Sequence, residues 1–400
     1  MKNILIIANF CRDFSQNDNG RFMYLCKELS KNNNVEIVTS DFRHSTKTHK
    51  PVLSTKWPFK ITFIHESGYK KNISIKRFIS HYLWGKKVGK YLNTIQKPDV
   101  IYCSIPSLTA PLKAARFCEK NKIKFIIDIQ DLWPEAFQMV FNVPIISKII
   151  FYPFKKIADS SYKKADVICS VSETYGKRAY SVNHKTSKIH TVFLGTKLEV
   201  YDENAKGMGF CEKNDGEIWL GYCGSLSTSY DLKCVIDALK LMKTNNQKCP
   251  KFIIMGDGAK KEEYEKYAKE RKINFVFTGR LNYDEMCATL SKCDIVINPI
   301  AAGSAASIIN KHGDYAASGC PVVNTQENEE YRKLIEKYNM GINCRNEDFT
   351  DVYNAILLLM ENSDLRHEMG KNARQCAKEM FDRKKTYIEL IDCILEDEDN

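Results

Sequence analysis

The feature that most constrains this chain is a rhythm that runs through it twice. Short apolar runs of strand-forming residues alternate with stretches whose apolar residues recur at helical spacing. In the first half the strand candidates are residues 3–9, 35–39, 99–103, 124–129 and 166–171. Between the first two, Phe22, Leu25, Cys26 and Leu29 follow the i, i+3, i+4, i+7 pattern of one helix face. The rhythm lapses over residues 197–217, a polar stretch that reads as a linker, and restarts at 218–222. It continues at 252–255, 275–278, 295–298 and 322–323. Asn282 and Glu285 have the spacing of a capping box and predict a helix start between two of these runs. Alternation of this kind implies βαβ units and parallel sheets, hence an α/β class. At 400 residues the chain is long enough for two such domains.

Charge is distributed unevenly between the halves. Residues 1–200 carry 33 Lys and Arg against 15 Asp and Glu, whereas residues 201–400 carry 27 against 34. A basic half implies an anionic partner: a membrane surface, a phosphorylated acceptor or a nucleic acid. No nucleic-acid recognition motif accompanies the charge, so a nucleic-acid partner is not expected. Within the basic half, residues 74–92 mix Lys76, Arg77, Lys86, Lys87 and Lys90 with Phe78, Tyr82, Leu83 and Trp84. That mixture fits either a helix lying on an anionic bilayer or a surface helix packed on a sheet. The longest apolar stretch, 143–154, is interrupted by Lys148 and two prolines, and the N-terminus lacks the apolar core of a signal peptide. A cytoplasmic protein is expected, with a peripheral place on the inner face of the membrane open to it. Fifteen cysteines, odd in number and without a C-x-x-C pair, read as reduced thiols, not bridges or metal ligands. No metal site and no cofactor are expected.

Three Gly-containing turns follow strand candidates in the second half. They are the CGSLS turn with Gly224 and Ser225, the GDG turn with Gly256 and Gly258, and the loop beginning at Pro299. In the third, Gly303, Ser304, Ala305, Ala306 and Ser307 are all small, which lets a ligand approach the backbone amides. A helix is predicted from near Ser307 to Gly319, with Pro321 just beyond. Its positive end and Lys311 would favour a phosphate, and Asp314, on the same face, could accept hydrogen bonds from sugar hydroxyls. Taken alone, GDG also reads as a plain turn, Lys311 as a solvated lysine and Asp314 as its partner. In the first half, Asp131 and Glu135 of DLWPE follow a strand and could orient or deprotonate an acceptor hydroxyl, or Asp131 could cap the next helix. Asn19, Gly20 and Arg21 open the first helix and could hold an acceptor anion.

Four segments together resemble a known family. They are the N-terminal strand, loop and NGRF helix, then DLWPE, GYCGSLSTSYDL and SIINKHGDYAASGCPVV. Over essentially its whole length the chain resembles family 4 retaining glycosyltransferases of the GT-B fold, nearest to bacterial enzymes of capsule, O-antigen or exopolysaccharide assembly. The resemblance implies two Rossmann-like domains facing each other across a deep cleft. Residues 1–196 would bind the acceptor and 218–380 the nucleotide sugar, with 197–217 as linker and 381–400 as a helix returning to the first domain plus an acidic tail. It implies metal-independent transfer from a nucleotide diphosphate sugar, a UDP-sugar favoured, to an acceptor such as a polyprenyl-diphosphate-linked saccharide. Asp314 matches the second of two acidic positions and would hold the ribose; Ala306 stands at the first. Ser225 and Asp231 stand where many members carry Arg and Lys, so diphosphate charge would fall to Lys311 and Arg280. Two rival readings remain: a nucleotide-sugar 2-epimerase-like isomerase, and a non-catalytic nucleotide-sugar-binding subunit.

Overall fold

The computed structural model describes residues 1–11, 14, 20–50, 56–72, 74–138, 144–304 and 307–396. It divides into two compact units, Met1–Phe193 with Tyr387–Asn400, and Leu194–Thr386.

Unit 1 is built on strands that are apolar at nearly every position, not at every second one. Such strands need both faces covered, as happens in a parallel sheet flanked by helices. They are β1 (Asn3–Ala8), β2 (Asn34–Ser40), β5 (Lys60–Ile64), β6 (Val100–Ile105), β7 (Lys124–Ile129), β8 (Val167–Ser170) and β9 (Ile189–Thr191). A short antiparallel ribbon, β3 (Phe42–Arg43) with β4 (Thr48–His49), stands apart. The seven strands pair in parallel in the order β5-β2-β1-β6-β7-β8-β9. Helix Arg21–Leu29 buries the four residues of its expected face. Helix Ile388–Leu395 places Leu390, Cys393 and Ile394 in the core shared by Ile4, Ile6, Met23 and Tyr102.

The basic aromatic segment forms helix Ile75–Leu92, with Ser74 accepting from the Arg77 amide. Trp84 is buried, not an outward anchor, and Gly85 lies so close to the neighbouring helix Thr109–Asn121 that a Cβ would come within 2.6 Å of the Ala110 nitrogen. Phe78 stacks on Phe137 and Phe154. Ile75, Ile79, Tyr82 and Leu83 are left exposed. No helix among the described residues is long and apolar enough to cross a membrane.

Unit 2 repeats the design with β10 (Trp219–Cys223), β11 (Lys251–Met255), β12 (Phe275–Gly279), β13 (Ile295–Asn298), β14 (Val322–Asn324) and β15 (Gly341–Asn343). All pair in parallel, in the order β12-β11-β10-β13-β14-β15. Leu220, Ile254 and Ile297 pack against Val235 and Leu239 of one helix and Val352 and Ile356 of another. The capping box at Asn282 and Glu285 starts helix Tyr283–Leu290.

One expectation is corrected here. Part of the stretch read as linker, Leu198–Ala205, is a helix of unit 2 that buries Leu198 and Tyr201, and the unit begins at Leu194. Its eight residues are too few for helical periodicity to stand out. At the other end, unit 2 keeps residues through Thr386, and only from Tyr387 does the chain belong to unit 1.

Candidate functional site

In unit 2 the chain leaves β10 toward β11 on one side and later returns to β13 on the other. This reversal opens a crevice at the carboxyl ends of β10 and β13, where open α/β sheets take their ligands. The three turns singled out in the sequence meet there. Gly224 donates its amide to the Met255 carbonyl at 3.0 Å, and Leu226 donates to Asp257 at 2.9 Å. Asp231 donates to Pro299 at 2.8 Å, and Ala301 to Ser229 at 3.0 Å. A Cβ on Gly256 would stand 1.9 Å from the Gly224 carbonyl oxygen, so these turns touch backbone to backbone. Gly258 presses likewise on Leu226, and Ser225 is exposed at the tip. Gly303, at φ +67°, has no described residue within 4 Å of where a Cβ would stand.

Lys311 lies beneath this cradle. It is only 7% exposed, and its Nζ has no hydrogen-bond partner among the described residues. The ammonium instead faces the rings of Tyr230 at 4.1 Å, Tyr222 at 4.7 Å and Tyr315 at 5.7 Å. Burial lowers its pKa to about 7, because removing a cation from water favours the neutral amine. A buried cation without a counter-ion is costly unless something anionic arrives. Tyr315 fixes the position: its hydroxyl donates to the Ile297 carbonyl of β13 and accepts from the Cys223 amide of β10.

The remaining expected residues are placed as follows. Asp314, half-buried, accepts a hydrogen bond from the Tyr283 hydroxyl at 2.9 Å through one carboxylate oxygen. Arg280 is exposed just after β12. Ser304 donates its amide to Ala301 at 3.2 Å. The helix predicted from near Ser307 begins at Asn310, because the β-branched Ile309 before it is extended, at φ −107° and ψ 164°. Ser307 is therefore an anchor, not a helix start. Its hydroxyl donates to Glu330 at 3.2 Å, and its carbonyl accepts from Gln326 at 2.8 Å. Ala305 and Ala306 lie outside the described residues. The tyrosines around Lys311 and the Gln326 anchor were not singled out in the sequence. Their signal is two-sided and tertiary, so spacing along the chain does not reveal it.

In unit 1, the structure gives Arg21 a different task from the one expected. Its guanidinium is buried and grips Asp128 with two bonds, Nη2 to Oδ1 at 2.8 Å and Nε to Oδ2 at 3.1 Å. It also donates to the hydroxyls of Tyr387 and Tyr102. The group is committed to holding the fold and does not present itself to an acceptor. Gly20 caps the helix without a side-chain bond, and Asn19 lies outside the described residues. Asp131 accepts from the Leu132 amide and from Trp133 Nε1, and burial raises its pKa to about 6. Glu135 is paired with Arg178, which also holds Asp159. Near Asp131, Arg77 lies 4.5 Å from the Trp133 ring centre, and His81 is buried with neither ring nitrogen hydrogen-bonded among the described residues, its Nε2 3.8 Å from Glu66 Oε1. Burial and the Arg77 charge keep His81 neutral.

Comparison with known proteins bears on unit 2 first. Residues 209–376 match the family described as Glycosyl transferases group 1. Two uncharacterized glycosyltransferases of Methanocaldococcus jannaschii are 24% identical over 61% of the chain and 25% identical over 45% of it. The chain spans 62% and 50% of the length of those relatives. Among solved structures, the sucrose-phosphate synthase of Thermosynechococcus elongatus superposes with a TM-score of 0.74 at 12% identity, covering 98% of this chain and 97% of the other. Anabaena HepE, solved in complex with UDP, gives a TM-score of 0.66 at 15% identity over 98% and 99%. WaaG, a glycosyltransferase involved in lipopolysaccharide biosynthesis, gives 0.66 at 13% over 98% and 100%. The fold of the chain is therefore GT-B, two Rossmann-like halves, and its C-terminal unit carries the region similar to Glycosyl transferases group 1.

Proposed function

We propose that this protein is a glycosyltransferase that takes a nucleotide diphosphate sugar in the crevice of unit 2 and transfers the sugar to an acceptor held by unit 1. The observation that carries the reading is the buried Lys311 ammonium, without a hydrogen-bond partner among the described residues, at the strand-order reversal, under the backbone of Gly224 and Gly256. A diphosphate supplies the missing counter-charge, and Asp314 stands one turn along the same helix to meet a ribose hydroxyl. As the glycosidic bond breaks, charge grows on the diphosphate, and a cation fixed in a low-dielectric site stabilises it most at that moment.

The transfer proceeds with retention and without a metal, the diphosphate being neutralised by Lys311, Arg280 and backbone amides. Paired catalytic carboxylates of the glycosidase kind are not needed. UDP is the favoured nucleotide, in keeping with the UDP bound to HepE. The acceptor is a saccharide on a polyprenyl diphosphate in surface-polysaccharide assembly, which accounts for the basic first half. Asp131, with its pKa near 6, accepts a hydrogen bond from the acceptor hydroxyl. Glu135 supports the same loop through Arg178.

A thermal-shift screen against UDP, GDP, ADP and CMP tests the donor site. A ligand at one hundred times its dissociation constant stabilises by about 2.7 kcal/mol. Stabilisation by one nucleoside diphosphate, lost in Lys311→Ala, supports the reading. No shift at millimolar concentration from any of them refutes it. Transfer of a labelled sugar to a lipid-linked acceptor then separates an enzyme from a subunit that only binds donor.

A further inference from the structure

In unit 1, three metal-ligating side chains converge from separate segments. Asp41 follows β2, His49 ends β4 and His65 follows β5. One ligand atom from each lies within 4.8 Å of the others. His65 Nδ1 is 2.8 Å from Asp41 Oδ2, and His49 Nε2 is 3.9 Å from Asp41 Oδ1. The two imidazoles stack with ring centres 5.2 Å apart and planes within 17°, so both reach the same carboxylate. The Glu66 carbonyl oxygen, 2.9 Å from His49 Nε2, is a third oxygen at the group besides the two of Asp41.

We propose that Asp41, His49 and His65 form a binding site for a divalent transition-metal cation of the zinc class. Two imidazoles with one carboxylate suit zinc and its neighbours better than magnesium or calcium, which take oxygen ligands. Ligands about 2.0–2.2 Å from a tetrahedral zinc stand roughly 3.3 Å from one another. The observed separations bracket that value, and the two histidines are exposed enough to close the difference by side-chain rotation. On binding, His65 Nδ1 and His49 Nε2 give up their hydrogen bonds to Asp41 and the Glu66 carbonyl, each ring proton moves to the other ring nitrogen (Nε2 of His65, Nδ1 of His49), and the freed lone pairs bind the metal. The Glu66 amide holds Asp41 Oδ1 at 2.8 Å and orients the carboxylate from behind. A bound cation would tie the β3–β4 ribbon to the end of β5.

The test uses the full-length protein, stripped with a chelator and titrated with Co²⁺ as an optical probe. Co²⁺ distinguishes nitrogen and oxygen ligands from the chain's many thiols by the absence of thiolate charge-transfer bands. One equivalent bound with a dissociation constant in the micromolar range or below, displaced by Zn²⁺ but not by Mg²⁺, is the expected result. His65→Gln and His49→Gln, both at exposed positions, should each weaken binding at least tenfold while leaving the melting temperature of the metal-free protein unchanged. Binding that survives the double variant, that shows thiolate bands, or that fails at 100 µM overturns the proposal.

Discussion

At the scale of single residues, Lys311 dominates. Its pKa of about 7 in the folded chain lies below the ordinary 10.5, so between these pH values the unfolded chain binds the extra proton. Stability of the ligand-free protein should therefore rise as pH increases from 7 toward 10, and the burial penalty should be fully present below 7. Lys311→Met keeps the apolar stem among the three tyrosines and removes the charge. Its ligand-free melting temperature should be higher than that of wild type at pH 7, while the shift produced by UDP disappears. A melting temperature that falls instead would mean the ammonium has a partner in the native state. Asp131 gives a second pH signature. With a pKa near 6, turnover should rise through pH 6 and flatten above it, and Asp131→Asn should abolish that limb in a pH–rate profile. The glycine-containing turns around Lys311 were legible in the sequence because turns are local signals. Arg21 was misread for a related reason: its place at a helix start is local, but its partner Asp128 lies on a strand far along the chain.

The elements show why the turns must be glycine. Gly256→Ala drives a methyl into the Gly224 carbonyl, and the two turns have to part. Overpacking of this kind costs about 1–3 kcal/mol, and chemical denaturation should report it together with loss of UDP binding. Gly303→Ala is the contrasting case, since the site is open and only the positive φ is strained. About 1–2 kcal/mol is expected there. In unit 1, Arg21 joins the first helix to β7 through Asp128, and to the start of the C-terminal helix through Tyr387. Removing one side of a buried pair leaves the other charge alone, so Arg21→Met should destabilise by about 3–5 kcal/mol. A double change of Arg21 and Asp128 to apolar residues should recover part of it. Most strands of both sheets were legible, because fully buried parallel strands are continuous apolar runs. The strands missed were β5, β9 and β15, which are short and lie at sheet edges or carry few β-branched residues. The helix Asn310–Ser318 starts later than the small residues suggest, because Ile309 is extended.

On the scale of the whole molecule, the two halves differ in what they offer a partner. The first half is strongly basic, and helix Ile75–Leu92 shows Ile75, Ile79, Tyr82 and Leu83 to solvent beside Lys76, Lys86 and Lys87. If unit 1 meets its acceptor at a bilayer, the protein should co-sediment with vesicles containing anionic lipid and not with neutral ones. Ile79→Glu with Leu83→Glu, or high salt, should reduce the bound fraction severalfold. Equal binding to neutral vesicles would remove charge from the explanation. The two-domain α/β plan was legible from the doubled rhythm. The linker was not, since eight residues of helix carry too little periodicity to be seen. Calorimetry of UDP binding at pH 8.5 in two buffers of different ionisation enthalpy tests the donor crevice most directly. A diphosphate that restores the Lys311 charge must bring a proton with it, so close to one proton should be taken up per UDP bound. Lys311→Met should bind more weakly and take up none. UDP that binds without proton uptake, or as tightly to the Met variant, would contradict the assignment of Lys311 as the counter-charge of the donor.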